Sequence, residues 1–277
     1  MTPATAADPD HRALLDLATE VAREAAELAV ELRRRGVEVA DTKSSPVDVV
    51  TEADRAVEQL IRKRVLGSRP DDGFLGEEGD TVTGSSGVRW VVDPIDGTVN
   101  YLYGLPAWCV SVAATVGEDT VAGAVVAPAL GEEYAGVRGG GATRNGVPVE
   151  VRPVPPLTES LVGTGFGYER SLRAHQAECA ALMLPRVRDV RRMGSCALDL
   201  CAVGAGLLDA YVEEGPNAWD HAAGGLVARE AGARLELWRT PRDKDLVLCA
   251  PVGAWDRFAG LVKECGFDAD RPGSESR

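Results

Sequence analysis

The stretch that decides how this chain folds is WVVDPIDGTVN, residues 90–100 of 277. Its apolar start predicts a strand that delivers Asp93, and Pro94 predicts a turn directly after it, because proline cannot continue a central strand. Residues 96–98 (DGT) follow at a point where backbone N–H groups can be presented to a ligand. The segment suits a hard cation beside a bound phosphate, since Mg²⁺ prefers oxygen ligands.

Two further segments each bring one more carboxylate, GEE at residues 76–78 and WDHAAG at residues 219–224. Ionised carboxylates around one point repel one another, so their convergence makes sense only if divalent cations bind there. The pattern favours two-metal phosphoryl transfer. Simpler interpretations stay open: Asp93 and Asp96 as turn formers, Glu77 and Glu78 as a solvated pair, Asp220 as a helix N-cap, and Asp54 as part of a capping box that starts at Thr51.

Composition argues against a general nucleic-acid or anionic-membrane binder. Lys and Arg sum to 30 against 43 Asp and Glu, a formal net charge of −13, whereas phosphate neutralisation needs a basic surface. The first ten residues lack the features of a signal peptide, and no apolar run approaches the ~18 residues of a membrane span. We expect a cytoplasmic protein. Its six cysteines form no C-x-x-C pair, which predicts reduced core thiols.

Hydrophobic periodicity predicts helices alternating with strands. The predicted helices cover residues 12–35, 52–65, 172–184, 197–208 and 220–231, and the main predicted strands cover 90–92, 109–116, 121–126, 133–137, 161–162, 210–212 and 246–250. Three prolines between residues 151 and 157 can continue neither a helix nor a central strand. We therefore predict a boundary that divides domain 1–152 from domain 153–277.

The motifs together resemble the successive signatures of the inositol monophosphatase family. In order they are DVVTEAD (48–54), GEE (76–78), DPIDGT (93–98) and WDHAAG (219–224), extended by KSSP (43–46) and GSCALDL (194–200). The resemblance covers about residues 12–250 and implies a layered α/β/α/β/α sugar-phosphatase fold. An α+β N-terminal half would carry most metal ligands, and an α/β C-terminal half would supply Asp220 and substrate contacts. It also suggests a homodimer.

The resemblance also implies roles for individual residues. Glu77, Asp93 and the backbone carbonyl of Ile95 match the ligands of a first Mg²⁺; Asp93, Asp96 and Asp220 match those of a second; and Glu77, counted also among the catalytic residues, faces a weaker third. Gly97 and Thr98 match a phosphate cradle. Thr98 and Asp54 match the pair that orients the attacking water. Substrate-ring contacts match Asp93, Gly194, Cys196 and Glu213, and Cys196 departs from the alanine that is common in the family.

The implied activity is Mg²⁺-dependent, lithium-sensitive hydrolysis of a small phosphate monoester by direct attack of activated water. Myo-inositol 1-phosphate is the expected substrate, because Glu213 can accept hydrogen bonds from ring hydroxyls and would repel a second phosphate. Glu213 and Glu214 could instead form a solvated strand end. Histidinol-phosphatase, fructose-1,6-bisphosphatase and 3′-nucleotidase activities are alternatives on the same scaffold, with Arg191 and Arg192 available to bind a second phosphate.

Two alternatives lie outside this activity. Haloacid-dehalogenase-type phosphatases use a D-x-D-G-T motif, but here two residues separate the aspartates, one too many for a nucleophile and its acid partner. Some bacterial relatives act as regulators that bind the transcription machinery. Retention of every predicted metal ligand favours catalysis over a purely regulatory role.

Overall fold

The computed structural model describes residues 9–36, 39–42 and 49–269. All predicted site residues lie in these ranges, whereas KSSP (43–46) and Asp48 lie outside them. The first described elements are a long amphipathic helix, a short antiparallel strand pair and a second helix whose N-terminus is closed by a capping box between Thr51 and Asp54. These elements are α1 (Pro9–Arg35), β1 (Val39–Thr42), β2 (Val49–Thr51) and α2 (Glu52–Ser68).

A seven-stranded sheet forms the centre of the N-terminal half. Its first two strands run parallel and the remaining neighbours are antiparallel. Asn145 and Gly146, with φ of 50° and 75°, make the predicted tight turn, because a two-residue hairpin favours positive φ at both positions. In spatial order the strands are β3 (Gly73–Gly76), β4 (Val88–Asp96), β5 (Cys109–Val116), β6 (Asp119–Ala127), β7 (Glu132–Val137), β8 (Gly141–Arg144) and β9 (Val147–Pro148).

A five-stranded mixed sheet forms the C-terminal half. In spatial order its strands are β11 (Asp189–Arg191), β10 (Leu161–Thr164), β12 (Ala210–Glu214), β14 (Asp245–Pro251) and β13 (Ala233–Arg239). The remaining helices are α3 (Thr98–Tyr103), α4 (Arg170–Met183), α5 (Cys196–Gly204), α6 (Ala218–Glu230) and α7 (Trp255–Glu264).

Apolar clusters stack these elements in layers. Side chains alternate along a strand, so Val92 packs toward α1 and α2 while Val91 packs toward α5 and α6. Helices α5 and α6 also cover the inner face of the second sheet, and α4 and α7 cover its outer face. Gly224 of α6 lies so close to α5 that an added Cβ would stand 2.5 Å from the Ala197 carbonyl oxygen. The predicted α/β/α/β/α layering is confirmed.

Two local predictions are wrong. Pro94 does not end its strand, because β4 continues to Asp96 and its pairing with β5 shifts between Asp93 and Asp96. A bulge of this kind accommodates a residue that has no N–H to donate. The helix predicted over 197–208 ends at Gly204, and Gly206 follows with φ of 69°.

The predicted domain boundary falls in residues 149–156, which form no regular secondary structure. The two sheets lie on either side of this segment in the chain, yet α5 and α6 pack against both of them. The division between residues 152 and 153 stays a prediction. Among the described residues, no helix combines the length and apolarity needed to cross a membrane.

Candidate active site

A cavity of about 340 Å³ lies where the end of β4, the N-termini of α5 and α6 and the loop after β10 meet. Both halves of the chain contribute to its wall. The predicted site residues that line it are Glu77, Asp93, Ile95, Asp96, Gly97, Thr98, Gly194, Cys196, Glu213 and Asp220. Asp54 is the one predicted residue that does not line the cavity. The folding of β4 onto α5 and α6 therefore brings the separate motifs to one place.

Three carboxylates meet at the base of this cavity. Asp93, Asp96 and Asp220 each offer an oxygen, and the three oxygens lie within 4.8 Å of one another. Burial raises the pKa of Asp93 and of Asp220 well above the ordinary value, and neighbouring charges, including that of Glu77, raise both further. Glu77 lies outside the trio, but its carboxyl group is within hydrogen-bonding reach of Asp93.

The carboxylate cluster fits a divalent cation. Two ionised carboxylates at this spacing repel each other by roughly 3 kcal/mol at an effective dielectric constant of about 20. The donors are all oxygen atoms, the ligand type that Mg²⁺ and other hard cations prefer. The trio could hold a metal ion, and a bound cation would remove the repulsion that raises these pKa values.

Asp96 also ties the two halves of the chain together. Its Oδ2 accepts hydrogen bonds from Ser195 Oγ at 2.6 Å and from the Ala197 N–H at 2.7 Å. Burial raises the pKa of Asp96 to about 6, although these hydrogen bonds lower it. The Asp96 carboxylate at the end of β4 is thereby fixed to the first turn of α5, which holds it in one orientation at the base of the cavity.

Asp54 uses its two carboxylate oxygens for different purposes. Oδ2 accepts from the backbone N–H and the hydroxyl of Thr51, which completes the capping box. Oδ1 lies 3.2 Å from the Thr98 hydroxyl, and that hydroxyl is also 3.0 Å from the Ile95 carbonyl oxygen. Burial raises the pKa of Asp54 to about 6. The helix-capping interpretation and the catalytic one are thus compatible, and Asp54 reaches the cavity through Thr98.

The same capping arrangement holds Asp220. The N-cap of α6 is Asn217, and the Asp220 carboxylate closes the capping box by accepting from the Asn217 N–H. The interpretation of Asp220 as the N-cap is therefore wrong by three positions. A carboxylate that is already bound to the backbone keeps a fixed direction, and Asp220 offers an oxygen to the cluster with Asp93 and Asp96 in this orientation.

The opposite wall carries the candidate substrate contacts. Glu213 accepts a hydrogen bond from the Tyr211 hydroxyl, and burial raises its pKa to about 7. Gly165 makes room for it, since an added Cβ there would stand 1.9 Å from Glu213 Oε2. Glu214 points the other way and is fully buried in an ion pair with Arg242 at 2.8 Å. The alternative of a solvated strand end is wrong.

Some cavity residues were not singled out by the sequence. Lys244 lines the wall together with Glu169, and its Nζ lies 3.0 Å from a Glu169 oxygen. Of the two arginines available for a second phosphate, Arg192 lines the cavity, whereas Arg191 is exposed and pairs with Asp189. The loop after β10 lines the cavity at Gly165, Phe166 and Gly167, and the alternating glycines of GTGFG (163–167) were the available signal for that loop.

Comparison with known proteins places these features in a family. A sequence model described as the inositol monophosphatase family matches residues 10–263. The protein named inositol-1-monophosphatase SuhB from Mycobacterium tuberculosis is 49% identical over 238 residues, which cover 79% of this chain and 82% of the relative. A protein of Xylella fastidiosa named Nus factor SuhB is 39% identical over 191 residues, which cover 69% of each chain.

A solved structure gives the same result. The structure of Mycobacterium tuberculosis SuhB superposes with a TM-score of 0.81 at 42% identity and covers 93% of this chain and 98% of that chain. The chain belongs to the inositol monophosphatase family and is a phosphoric monoester hydrolase.

Proposed function

We propose that this protein hydrolyses the phosphate monoester of a small polyol, with myo-inositol 1-phosphate as the preferred substrate, and that it depends on Mg²⁺. The observation that carries the proposal is one cavity with the Asp93, Asp96 and Asp220 trio at its base and Glu213 on its wall. The first group suits cations that neutralise a phosphate, and the second suits hydroxyl groups. We also propose a cytoplasmic homodimer that is inhibited by Li⁺.

The proposed Mg²⁺ ligands are distributed over two or three positions. Glu77, Asp93 and the Ile95 carbonyl would hold a first ion, Asp93, Asp96 and Asp220 a second, and Glu77 would contribute to a third. When bound, Mg²⁺ supplies Lewis acidity to the phosphate and charge neutralisation to the leaving oxygen. Glycine is required at position 97, because an added Cβ would stand 2.9 Å from the Ala107 carbonyl oxygen. The lack of a side chain at Gly97 would also let the phosphate approach the backbone closely.

The proposed role of Thr98 is to orient the attacking water. A hydroxyl that donates its hydrogen to Asp54 keeps its lone pairs to accept a hydrogen bond from that water. Asp54 would then act as a positioning residue behind Thr98. Water attacks phosphorus directly in this scheme, so no phosphoenzyme forms. Glu213, with Gly194 and Cys196 beside it in the wall, would accept hydrogen bonds from substrate hydroxyls.

Asp54→Asn should lower kcat about 10²-fold or more while KM changes little. The amide can still cap α2, but it cannot present a carboxylate oxygen to both Thr51 and Thr98. Steady-state kinetics at saturating Mg²⁺ would measure the effect, with Glu52→Gln on the exposed side of the same helical turn as control. If kcat is normal and stability falls by ~1 kcal/mol at most, Asp54 is only a cap.

Among phosphate monoesters, myo-inositol 1-phosphate should give the highest kcat/KM, ahead of histidinol phosphate, fructose 1,6-bisphosphate and 3′-phosphoadenosine 5′-phosphate. Glu213→Gln should raise KM for inositol phosphate more than for a plain aryl phosphate, because only the former offers ring hydroxyls. Equal effects on both substrates, or a roughly tenfold preference for histidinol phosphate, would show that the polyol assignment is wrong although the phosphatase assignment survives.

A regulatory function is the second candidate. It is favoured by the relative of Xylella fastidiosa that carries the name Nus factor SuhB. A pull-down of RNA polymerase with the full chain, compared with phosphate release by the same preparation, would separate the two functions. Capture of the polymerase by a variant without phosphatase activity would show that the chain has both.

A further inference from the structure

Helix α2 carries a second acidic residue toward the site. Asp54, Glu58 and Arg62 are spaced four residues apart and therefore lie along one side of the helix. This polar stripe runs beside the buried apolar residues Val57 and Ile61. Asp54 reaches Thr98, as described above, whereas Glu58 and Arg62 contact the segment 76–80, which carries Glu77.

Glu58 is buried against the backbone of that segment. Only 3% of it is exposed, and its Oε2 accepts a hydrogen bond from the Glu78 N–H at 2.7 Å. The backbone of Gly79 also favours the ionised form of this carboxylate and lowers its pKa, against the effect of burial. Glu58 is absent from the cavity wall, so it holds the loop from behind and is not itself placed to contact a bound ion.

The glycines on both sides of the two glutamates make this contact possible. A Cβ added to Gly76 would stand 2.2 Å from Glu58 Oε2, and one added to Gly79 would stand 2.6 Å from Glu58 Oε1. Side chains at either position would push the carboxylate away from the Glu78 amide. The two glycines of G-E-E-G (76–79) therefore leave room for the Glu58 carboxylate, while Glu77 between them lines the cavity.

Arg62 holds the far end of the same segment. Its guanidinium donates to the Asp80 carbonyl oxygen, lies 3.9 Å from Glu58 Oε1 and stacks 4.7 Å above the centre of the Phe74 ring. The arginine partly neutralises Glu58, which allows a buried carboxylate so close to Glu77. The loop is thus fixed by α2 at two points, on either side of Gly79.

We propose that Glu58 is a positioning residue for the metal centre: it fixes the backbone at Glu78 so that the neighbouring Glu77 carboxylate is directed at Asp93. This inference rests on the proposed assignment of Glu77 as a metal ligand. Groups that orient a metal ligand without touching the ion commonly change metal affinity about 10- to 100-fold when they are removed.

Isothermal titration of the full chain with Mg²⁺ tests the proposal through two variants. Glu58→Asp keeps the charge but is one methylene too short to reach the Glu78 N–H, and it should weaken Mg²⁺ binding about tenfold. Glu58→Gln keeps one acceptor oxygen at the original reach and should lose less. The kcat of both variants should recover at saturating Mg²⁺. Glu52→Gln, on the exposed side of α2, is the matched control and should bind as the wild type does.

Which of the two variants binds Mg²⁺ more weakly shows whether the position or the charge of the Glu58 carboxylate matters. If Glu58→Asp binds Mg²⁺ normally while Glu58→Gln is weakened, charge matters and position does not, and the proposal is overturned. The proposal is also overturned if both variants lower the melting temperature in chelator but bind Mg²⁺ as the wild type does. Gly76→Ala approaches the contact from the other side and should weaken Mg²⁺ binding to a similar extent with Glu58 intact.

Glu77→Gln separates this proposal from the proposed function. If it weakens Mg²⁺ binding while both Glu58 variants bind normally, only the role of Glu58 is wrong. If the wild type binds no Mg²⁺, or Glu77→Gln binds it normally, the assignment of Glu77 fails and the role of Glu58 fails with it.

Discussion

Asp93→Asn is expected to lower kcat by about 10³-fold or more at saturating substrate and Mg²⁺. Asp93 interacts with each of the other three carboxylates: its pKa is raised by burial and then by the charges of Glu77, Asp96 and Asp220. An amide removes the negative charge that both proposed ion positions share. It also puts an N–H₂ group among carboxylates that would otherwise face a cation.

The control for this variant is Asp119→Asn, which changes the same residue type at an exposed ion pair with Arg138. Asp119→Asn should leave kcat unchanged. Melting of metal-free Asp93→Asn should occur at or above the wild-type temperature, because the change removes a source of repulsion and keeps the side-chain shape. A kcat within tenfold of the wild type would contradict a shared ligand role.

The convergence of the motifs could be predicted because each one ends or begins an element. Asp93 and Asp96 lie at the end of a strand whose apolar run is plain in the sequence, and Asp220 lies in the first turn of a helix with a clear apolar pattern. The family resemblance then supplied the order in which these elements meet. The layers follow from alternation and helical periodicity, which are local properties of the chain.

Glu58 could not be singled out in this way. Glu58 and Arg62 are four residues apart on a helix, which is the usual spacing of a solvent-exposed ion pair. What makes Glu58 different is the approach of Gly76 and Gly79 from β3 and its loop, and no local pattern in α2 indicates that contact. Lys244 illustrates the same limit, because the cavity wall joins parts of the chain that are far apart in sequence.

Removal of divalent cations is expected to abolish turnover, and added Mg²⁺ should restore it. Without cations the buried carboxylates either are ionised and repel the phosphate or are protonated, and in neither state do they supply the positive charge that neutralises it. Phosphate release in chelator, then after addition of excess Mg²⁺, measures this directly. Full turnover in chelator would exclude the metal mechanism, and heat-treated enzyme with the same Mg²⁺ is the control for hydrolysis in solution.

The melting temperature of the chain should also depend on Mg²⁺. The pKa shifts decide whether this effect of Mg²⁺ grows or shrinks as pH rises. In the metal-free protein, burial raises the pKa of Asp54 and Asp96 from 3.8 to about 6. The folded state therefore holds more protons than the unfolded state in this range, and the contribution of these groups to stability falls as pH rises through about 6. Cation binding requires ionised carboxylates and releases those protons. The rise in melting temperature caused by Mg²⁺ should accordingly be larger at about pH 7.5 than at about pH 5. A rise that is equal at both pH values would show that Mg²⁺ binds away from the buried carboxylates.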